Sequence, residues 1–465
     1  MSAFDLGHQP FGLASPAAWL TADGAQVTCQ DLAVQRLDAD AVRAADLIGF
    51  YLPMHTATRI LAGVVPRVRE LNPHAHLCAY GLYAPVNQEL LRRIGIQSII
   101  GGEFEEPLVA LARDLRQGTG LARQSHPVRS LNVVSLARQK FLVPDRSGLP
   151  ELGGYAYLSL PDGSRRTVGY TEATRGCKHL CRHCPIVPVY GGQFRVVQRD
   201  IVMADIRQQV EAGAEHISFG DPDFFNGPAH AVAIARALHE EFPDLTYDVI
   251  IKVEHLVKHR DRLPVLRDTG CILITSAVES VDPHILDIFD KRHSRADFVA
   301  AVQSLRELGI GMNPTFVAFT PWTTLDGYVE FLSQIDQLGL EQNVTPIQYA
   351  IRLLIPEGSR LLELEEVADM VGPFDVGSLV YPWTHRDPAV DALQKQALAL
   401  TAHAAAEGTS RERFFDELWR LATHAAGQEG RPRTRATVVS LPVPQLSEPW
   451  YCCAEPTDSQ LAPPV

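Results

Sequence analysis

Short apolar runs of strand length alternate with longer amphipathic stretches in two successive series along this chain, and such alternation folds most readily as parallel α/β sheets with crossover helices. In the first series the runs are Gln26-Val27-Thr28-Cys29, Asp46-Leu47-Ile48-Gly49-Phe50-Tyr51, Ala75-His76-Leu77-Cys78-Ala79-Tyr80 and Ser98-Ile99-Ile100-Gly101-Gly102. Between them, 58–71 and 86–94 carry apolar residues at three- and four-residue spacing. No Gly-rich dinucleotide fingerprint accompanies these strands. The second series offers six strand candidates, at 167–174, 216–220, 246–252, 271–277, 312–319 and 347–354, separated by helix-like segments. Six βα units of this spacing suit a partial barrel, whose functional residues gather at the carboxyl ends of the strands.

The expected fold class is therefore α/β. An N-terminal Rossmann-like parallel sheet at 1–120 is followed by a linker at 121–165, a partial (β/α)6 barrel at 166–365, and a mainly helical C-terminal region with an extended tail at 366–465. A formal charge of −13 without clustered Lys or Arg argues against a nucleic-acid partner. No stretch approaches the roughly 20 apolar residues of a membrane span, and the start, Met1-Ser2-Ala3-Phe4-Asp5-Leu6-Gly7, lacks a basic or apolar leader, so a cytoplasmic protein with no membrane partner is expected. The 8 cysteines are too few for a disulfide scaffold in a chain of 465 residues. Their clustering points instead to reduced thiols used for metal or redox chemistry. Cys29 and Cys78 read as small buried hydrophobes.

The segment Thr174-Arg175-Gly176-Cys177-Lys178-His179-Leu180-Cys181-Arg182-His183-Cys184-Pro185 follows a predicted strand with the spacing C-x3-C-x2-C. Three thiolates on one loop can hold three irons of a [4Fe-4S] cube and leave the fourth without a protein ligand. A structural zinc site would need a fourth ligand, from His179 or His183, and its usual spacing differs. The motif, the strand before it and the partial barrel after it resemble the radical SAM (S-adenosylmethionine) superfamily over roughly 130–370. The resemblance implies that Cys177, Cys181 and Cys184 hold a [4Fe-4S] cluster whose open iron binds SAM and cleaves it reductively. It also implies an electron donor such as flavodoxin or ferredoxin.

The segment Ile217-Ser218-Phe219-Gly220-Asp221-Pro222-Asp223 ends the second barrel strand, where the superfamily usually has a Gly-Gly-Glu-like element that holds the ammonium of SAM. Gly220, Asp221 and Asp223 are the matching candidates, and a plain strand-ending turn is the alternative. Ser276-Ala277-Val278-Glu279-Ser280 is similar to the Glu-Ser element that contacts the SAM ribose, which makes candidates of Glu279 and Ser280. Lys252 and Glu254 after the third strand, and Arg352 on the sixth, could neutralise the methionine carboxylate, bind substrate, or serve as surface ion pairs.

The N-terminal region resembles the cobalamin-binding domain of one large radical SAM group in Phe11-Gly12-Leu13-Ala14 and Gly101-Gly102-Glu103-Phe104. The Asp-x-His-x-x-Gly element that supplies a cobalt-ligating His is missing, and His55, His74 and His76 lack its context. Either cobalamin binds without a protein ligand below it or the domain is a degenerate scaffold, and the expectation is the scaffold, without cobalamin. The tail, Trp450-Tyr451-Cys452-Cys453-Ala454-Glu455-Pro456, resembles radical SAM proteins ending in Cys-Cys-Ala-Glu-Pro, and the architecture is similar to the radical SAM enzymes of arsinothricin biosynthesis. That resemblance implies that Cys452 and Cys453 bind trivalent arsenic, with arsenite as substrate, and that the 3-amino-3-carboxypropyl group of SAM is joined to it. Cys271 is a candidate third thiolate. The expectation is a radical SAM transferase; the alternatives are a cobalamin-dependent radical SAM methyltransferase and a metalloid- or redox-sensing iron-sulfur protein.

Overall fold

The structure, a computed structural model, describes residues 1–117, 132–434, 443–448 and 461. The N-terminal sheet is formed by β1 (Leu47–Tyr51), β2 (His76–Tyr80), β3 (Ser98–Gly102) and β4 (Asn132–Ser135), all parallel and in sequence order. The helix His55–Leu71 turns Leu61, Val65 and Val68 onto one face, where they meet Phe50, Leu77 and Ile99. The helices Phe11–Ala22 and Glu105–Gln117 cover the other face, packing Leu13, Leu108 and Leu111 against Tyr51, Tyr80 and Ile100. Both faces are thus buried, as a parallel sheet requires.

Two details differ from the sequence expectation. Gln26-Val27-Thr28-Cys29 is not a strand; the backbone beyond it bonds Ser2, whose N–H donates to the Gln30 carbonyl 2.9 Å away. The fourth strand comes instead from Asn132–Ser135, inside the stretch read as a linker. Four residues are too few to display a period, and only the open edge of β3 selects them.

The second sheet contains β5 (Tyr157–Ser159), β6 (Arg165–Thr171), β9 (His216–Phe219), β10 (Thr246–Ile250), β11 (Cys271–Glu279), β12 (Gly311–Phe316) and β13 (Gln445–Leu446), while β7 (Thr174–Gly176) and β8 (Phe194–Val196) form a separate antiparallel ribbon. Its order is β12-β11-β10-β9-β6-β5-β13, with β6 and β9 through β12 parallel, curled into a half-barrel. The expected sixth strand at 347–354 is reduced to an isolated bridge, Phe319 to Arg352. Pro346–Tyr349 turns as a 3-10 helix, and the Gln348 side-chain oxygen takes the Phe316 N–H at 2.9 Å that a sixth strand would have used.

Crossover helices close the outer face. Arg295–Leu308 is representative: Ser294 and Asp297 form a capping box, Phe298, Ala301, Val302 and Leu305 face the sheet, and Gly309 ends the helix at φ +69°. The Ala-rich sequence at 391–426 folds as two helices, Pro388–Glu407 and Arg411–Ala425, parted at Gly408. Phe414, Phe415 and Trp419 of the second join the barrel core. Among the described residues no helix is long and apolar enough to cross a membrane.

Candidate active site

The carboxyl ends of the barrel strands open onto a cavity of about 270 Å³. Tyr170, Gly220, Ile250, Glu279 and Phe316 border it from the barrel side. The N-terminal sheet points its own carboxyl edge at the same space, through Tyr51, Pro53, Met54, Leu82, Tyr83 and Phe104. Where strands end, their loops are free to carry function, so two sheets meeting edge to edge make a shared site.

The loop between β7 and the short helix Val187–Tyr190 brings Cys177, Cys181 and Cys184 to this cavity. Gly176 precedes it at φ +73°, with its carbonyl accepting from Asn226 Nδ2 at 3.1 Å. The Lys178 N–H donates back to Asn226 Oδ1 at 3.2 Å. Further along, the Arg182 side chain donates to the carbonyls of Asp287 and Ile288, and Arg360 donates to that of Leu180. The loop is thus fixed by three distant parts of the barrel. None of the three cysteines is in a disulfide, and burial pushes the Cys177 thiol up to about 12. A thiol so buried stays protonated unless a cation displaces the proton, which suits metal ligation and not free reactivity. Cys177, Cys181 and Cys184 all line the cavity, and three thiol donors on one loop fit a [4Fe-4S] cluster, which would leave one iron without a protein ligand.

Glu279 stands beside the loop. It closes β11 at φ +68° after a register shift, which re-aims its side chain into the cavity. His183 Nε2 lies 3.2 Å and Lys291 Nζ 3.4 Å from its Oε1. Burial alone would raise this carboxyl, but Lys291 and His183 outweigh it and hold the pKa at about 2. Glu279 is therefore ionised at neutral pH. Lys252 also lines the cavity, 2.9 Å from Glu254 Oε2 and 3.3 Å from His179 Nδ1. Gly220 is a glycine for a steric reason: a Cβ there would lie 1.9 Å from the Tyr170 hydroxyl.

Residues 171–324, which hold the cysteine loop and most of the half-barrel, match the family described as the Radical SAM superfamily. This segment is a radical SAM domain. Over 151 residues the chain is 26% identical to the hopanoid C-3 methylase of Methylococcus capsulatus, covering 32% of this chain and 29% of that one. The chain thus aligns to less than a third of that relative. Two solved structures share the fold of nearly the whole chain. The radical SAM methyltransferase TsrM from Kitasatospora setae, with cobalamin and a [4Fe-4S] cluster bound, superposes with a TM-score of 0.62 at 14% identity over 90% of this chain and 97% of its own. The cobalamin-dependent radical SAM enzyme OxsB with aqua-cobalamin bound gives 0.62 at 13% identity over 91% of this chain and 70% of its own.

The radical SAM domain is clamped to the N-terminal sheet by Arg175, which the sequence reading passed over. Its guanidinium lies 2.7 Å from Glu172 and Glu105 and 3.5 Å from Glu103, among the rings of Phe11, Phe104 and Phe141. Burial raises Glu103 to about 7 despite the arginine. Tyr190, on the helix that ends the cysteine loop, donates to Glu103 Oε1 at 3.2 Å. The signal was present in Arg175, next to the cluster motif, and in Glu103 after the Gly-Gly pair, but nothing along the chain joins them.

Several expected residues stand elsewhere. Asp221 faces away from the cavity, accepting from Ala173 N–H at 2.9 Å and Thr174 Oγ1 at 2.6 Å, so it positions the strand that leads into the cluster loop. Ser280 borders a different, smaller pocket, because the turn after Glu279 sends consecutive side chains to opposite sides. Arg352 lies over the Trp383 ring and 2.6 Å from Asp391, outside the cavity. Cys271 begins β11 and does not line the cavity, which that strand reaches only from Thr275 onward, about 13 Å further along at 3.3 Å per residue, so it is not placed with the cluster cysteines. Cys452 and Cys453 lie outside the described residues. Lys291 and His255 were not singled out, and His183 was considered only as a zinc ligand, since their contacts join segments far apart in sequence.

Proposed function

We propose that this chain is a cobalamin-dependent radical SAM methyltransferase, with cobalamin lying between the two sheets. The observation that carries this reading is the shared cavity, whose N-terminal wall is apolar and broad at Pro53, Met54, Leu82, Tyr83 and Phe104. Of the two nearby histidines, His8 lines the cavity and His55 does not. His55 turns its Nε2 to the Ser378 carbonyl at 2.8 Å, and His8 stacks on Tyr170. The apolar residues of this wall would suit the face of a corrin ring. The missing Asp-x-His-x-x-Gly element concerns a ligand to cobalt alone and does not argue against cobalamin in the cavity, so this reading departs from the scaffold expectation. The likeness to TsrM and OxsB across both domains supports the same reading.

When bound, the cluster supplies electrons from a flavodoxin- or ferredoxin-type donor and cobalamin supplies a carrier for the methyl group of SAM. Cys177, Cys181 and Cys184 hold the cluster at the cavity wall. Glu279, ionised and oriented by His183 and Lys291, accepts hydrogen bonds from SAM hydroxyls. Lys252 offers a cation to its carboxylate, and Gly220 leaves room for it against Tyr170. The test is anaerobic reconstitution with hydroxocobalamin followed by desalting: about one cobalamin per chain is expected, with S-adenosylhomocysteine formed from SAM. Absence of retained cobalamin would sink the proposal.

One observation favours a second reading, transfer of the 3-amino-3-carboxypropyl group to trivalent arsenic held by Cys452 and Cys453. β13 is antiparallel to β5, which is antiparallel to β6, so the chain after Leu446 heads toward the carboxyl ends of the barrel strands. Glu448 reaches the side of Gly7, whose neighbours Leu6 and His8 line the cavity. The two thiols follow four and five residues later in sequence. Arsenite-dependent release of 5′-methylthioadenosine, lost in Cys452→Ser/Cys453→Ser, is the outcome expected of this reading; release of it by neither protein rejects it.

A further inference from the structure

Behind the cysteine loop three side chains from separate elements converge. His179 comes from the loop itself, Asp223 from the turn after β9, and His255 from the helix Val253–Lys258 after β10. One ligand atom of each, His179 Nε2, Asp223 Oδ2 and His255 Nδ1, lies within 4.8 Å of the other two. Asp223 and His255 are each 1% exposed at the side chain, and His179 9%. All three atoms are buried and none makes a hydrogen bond. The His255 to Asp223 separation is only 2.6 Å, yet the two atoms are not aligned as donor and acceptor; His179 is 3.5 Å from the same oxygen. Buried polar atoms are normally satisfied, and three that converge on one point in ion-pair range but without aligned hydrogen bonds suit a shared cation.

We propose that His179, Asp223 and His255 bind a divalent transition-metal ion of the zinc or ferrous class, separate from the iron-sulfur cluster. Two imidazoles and one carboxylate are the donor set such ions take when they keep positions open for another ligand. Donors about 2.0–2.2 Å from one ion stand roughly 3.4 Å apart, close to the 3.5 Å from His179 to Asp223, whereas His255 and Asp223, at 2.6 Å, must part by somewhat under about 1 Å to share an ion. The surroundings also suit ligation. Glu254 Oε2 lies 3.6 Å from His179 Nδ1, where it can accept that N–H once Nε2 is bound to metal, and Lys252 neutralises it at 2.9 Å. His179 and Asp223 line the main cavity whereas His255 lies behind them. The open positions of the ion therefore face the cavity and would take an anionic oxygen, such as a carboxylate. This gives Asp223 a metal to hold in place of the SAM ammonium.

The site stands or falls independently of cobalamin and of turnover. With the cluster fully reconstituted, so that the cysteines are occupied, the protein is equilibrated with Zn²⁺, desalted, and its zinc and iron counted by mass spectrometry. About one zinc per chain in addition to the cluster iron is expected. Asp223→Asn and His255→Gln should lose it with iron content and cluster absorbance unchanged. Glu254→Gln, which touches no ligand atom of the ion, should weaken zinc binding by roughly 10-fold or more while the protein stays folded. Wild-type protein that retains no zinc, or variants that retain it all, overturns the proposal. Should the ligand variants fail to fold, wild-type stoichiometry and the Glu254→Gln affinity decide it.

Discussion

At Gly176 a Cβ would lie 2.3 Å from the Tyr190 ring and 2.6 Å from the Gln193 carbonyl oxygen, in a backbone conformation of φ +73° that side chains disfavour. Gly176→Ala must therefore displace either the ribbon or the loop that presents Cys177. The expected result is a reconstituted protein holding less than about half the wild-type iron, measured with acid-labile sulfide, because ligands displaced by an ångström bind poorly. His55 tests a different kind of constraint. Burial lowers its imidazole from 6.5 to about 4. The unfolded chain then takes up the proton first, so the contribution to stability is full above pH 6.5 and is lost as pH falls toward 4. At pH 5 the loss is about 2 kcal/mol. Urea unfolding at pH 7.5 and pH 5 should show wild type losing that much more than His55→Gln, whose amide can still donate to Ser378.

Among the elements, the two-residue β13 has an influence beyond its size. Ser447 N–H donates to the Tyr157 carbonyl at 2.9 Å, and the Tyr157 N–H donates to Ser447 Oγ at 3.1 Å, so this contact caps the open edge of β5 and sets the direction of the tail. Ser447→Pro removes both partners. Hydrogen exchange at the Tyr157 amide should quicken by on the order of 10-fold, while β9 to β12 keep wild-type protection. Unchanged exchange would mean that β5 holds its edge without β13. Such pairing is invisible along the chain, because two residues carry no period. The long alternating runs of β1, β2, β3 and the barrel strands were legible for the opposite reason: each is five or so residues of buried sequence between punctuated helices.

For the molecule as a whole, Arg175 decides how the two sheets face each other. It joins the half-buried Glu172 of the barrel to the buried Glu103 and Glu105 beyond β3. Arg175→Met would leave carboxylates in the interior without their counter-charge, a change that costs about 3–5 kcal/mol when a buried ion pair is broken. Urea unfolding should show that loss, and Arg175→Lys should recover only part of it, since an ammonium cannot reach three carboxylates at once as the planar fork does. A loss under about 1 kcal/mol would show that the apolar packing of Phe11, Phe104 and Phe141 holds the domains together unaided.

The sequence by itself determined the α/β architecture and the cysteine loop, because both are written in local spacing: period in the strands and helices, and the intervals between Cys177, Cys181 and Cys184. It also marked Glu279 and Lys252 at strand ends, where side chains turn toward the cavity. It could not separate Asp221 from Asp223, two residues apart, of which one braces the strand before the loop and the other joins His179 and His255. Nor could it bring Lys291 to Glu279, Arg175 to Glu103, or Asn132–Ser135 to the edge of β3. Those assignments depend on which elements the packed core holds side by side, and only the tertiary structure makes residues distant in the chain neighbours in space.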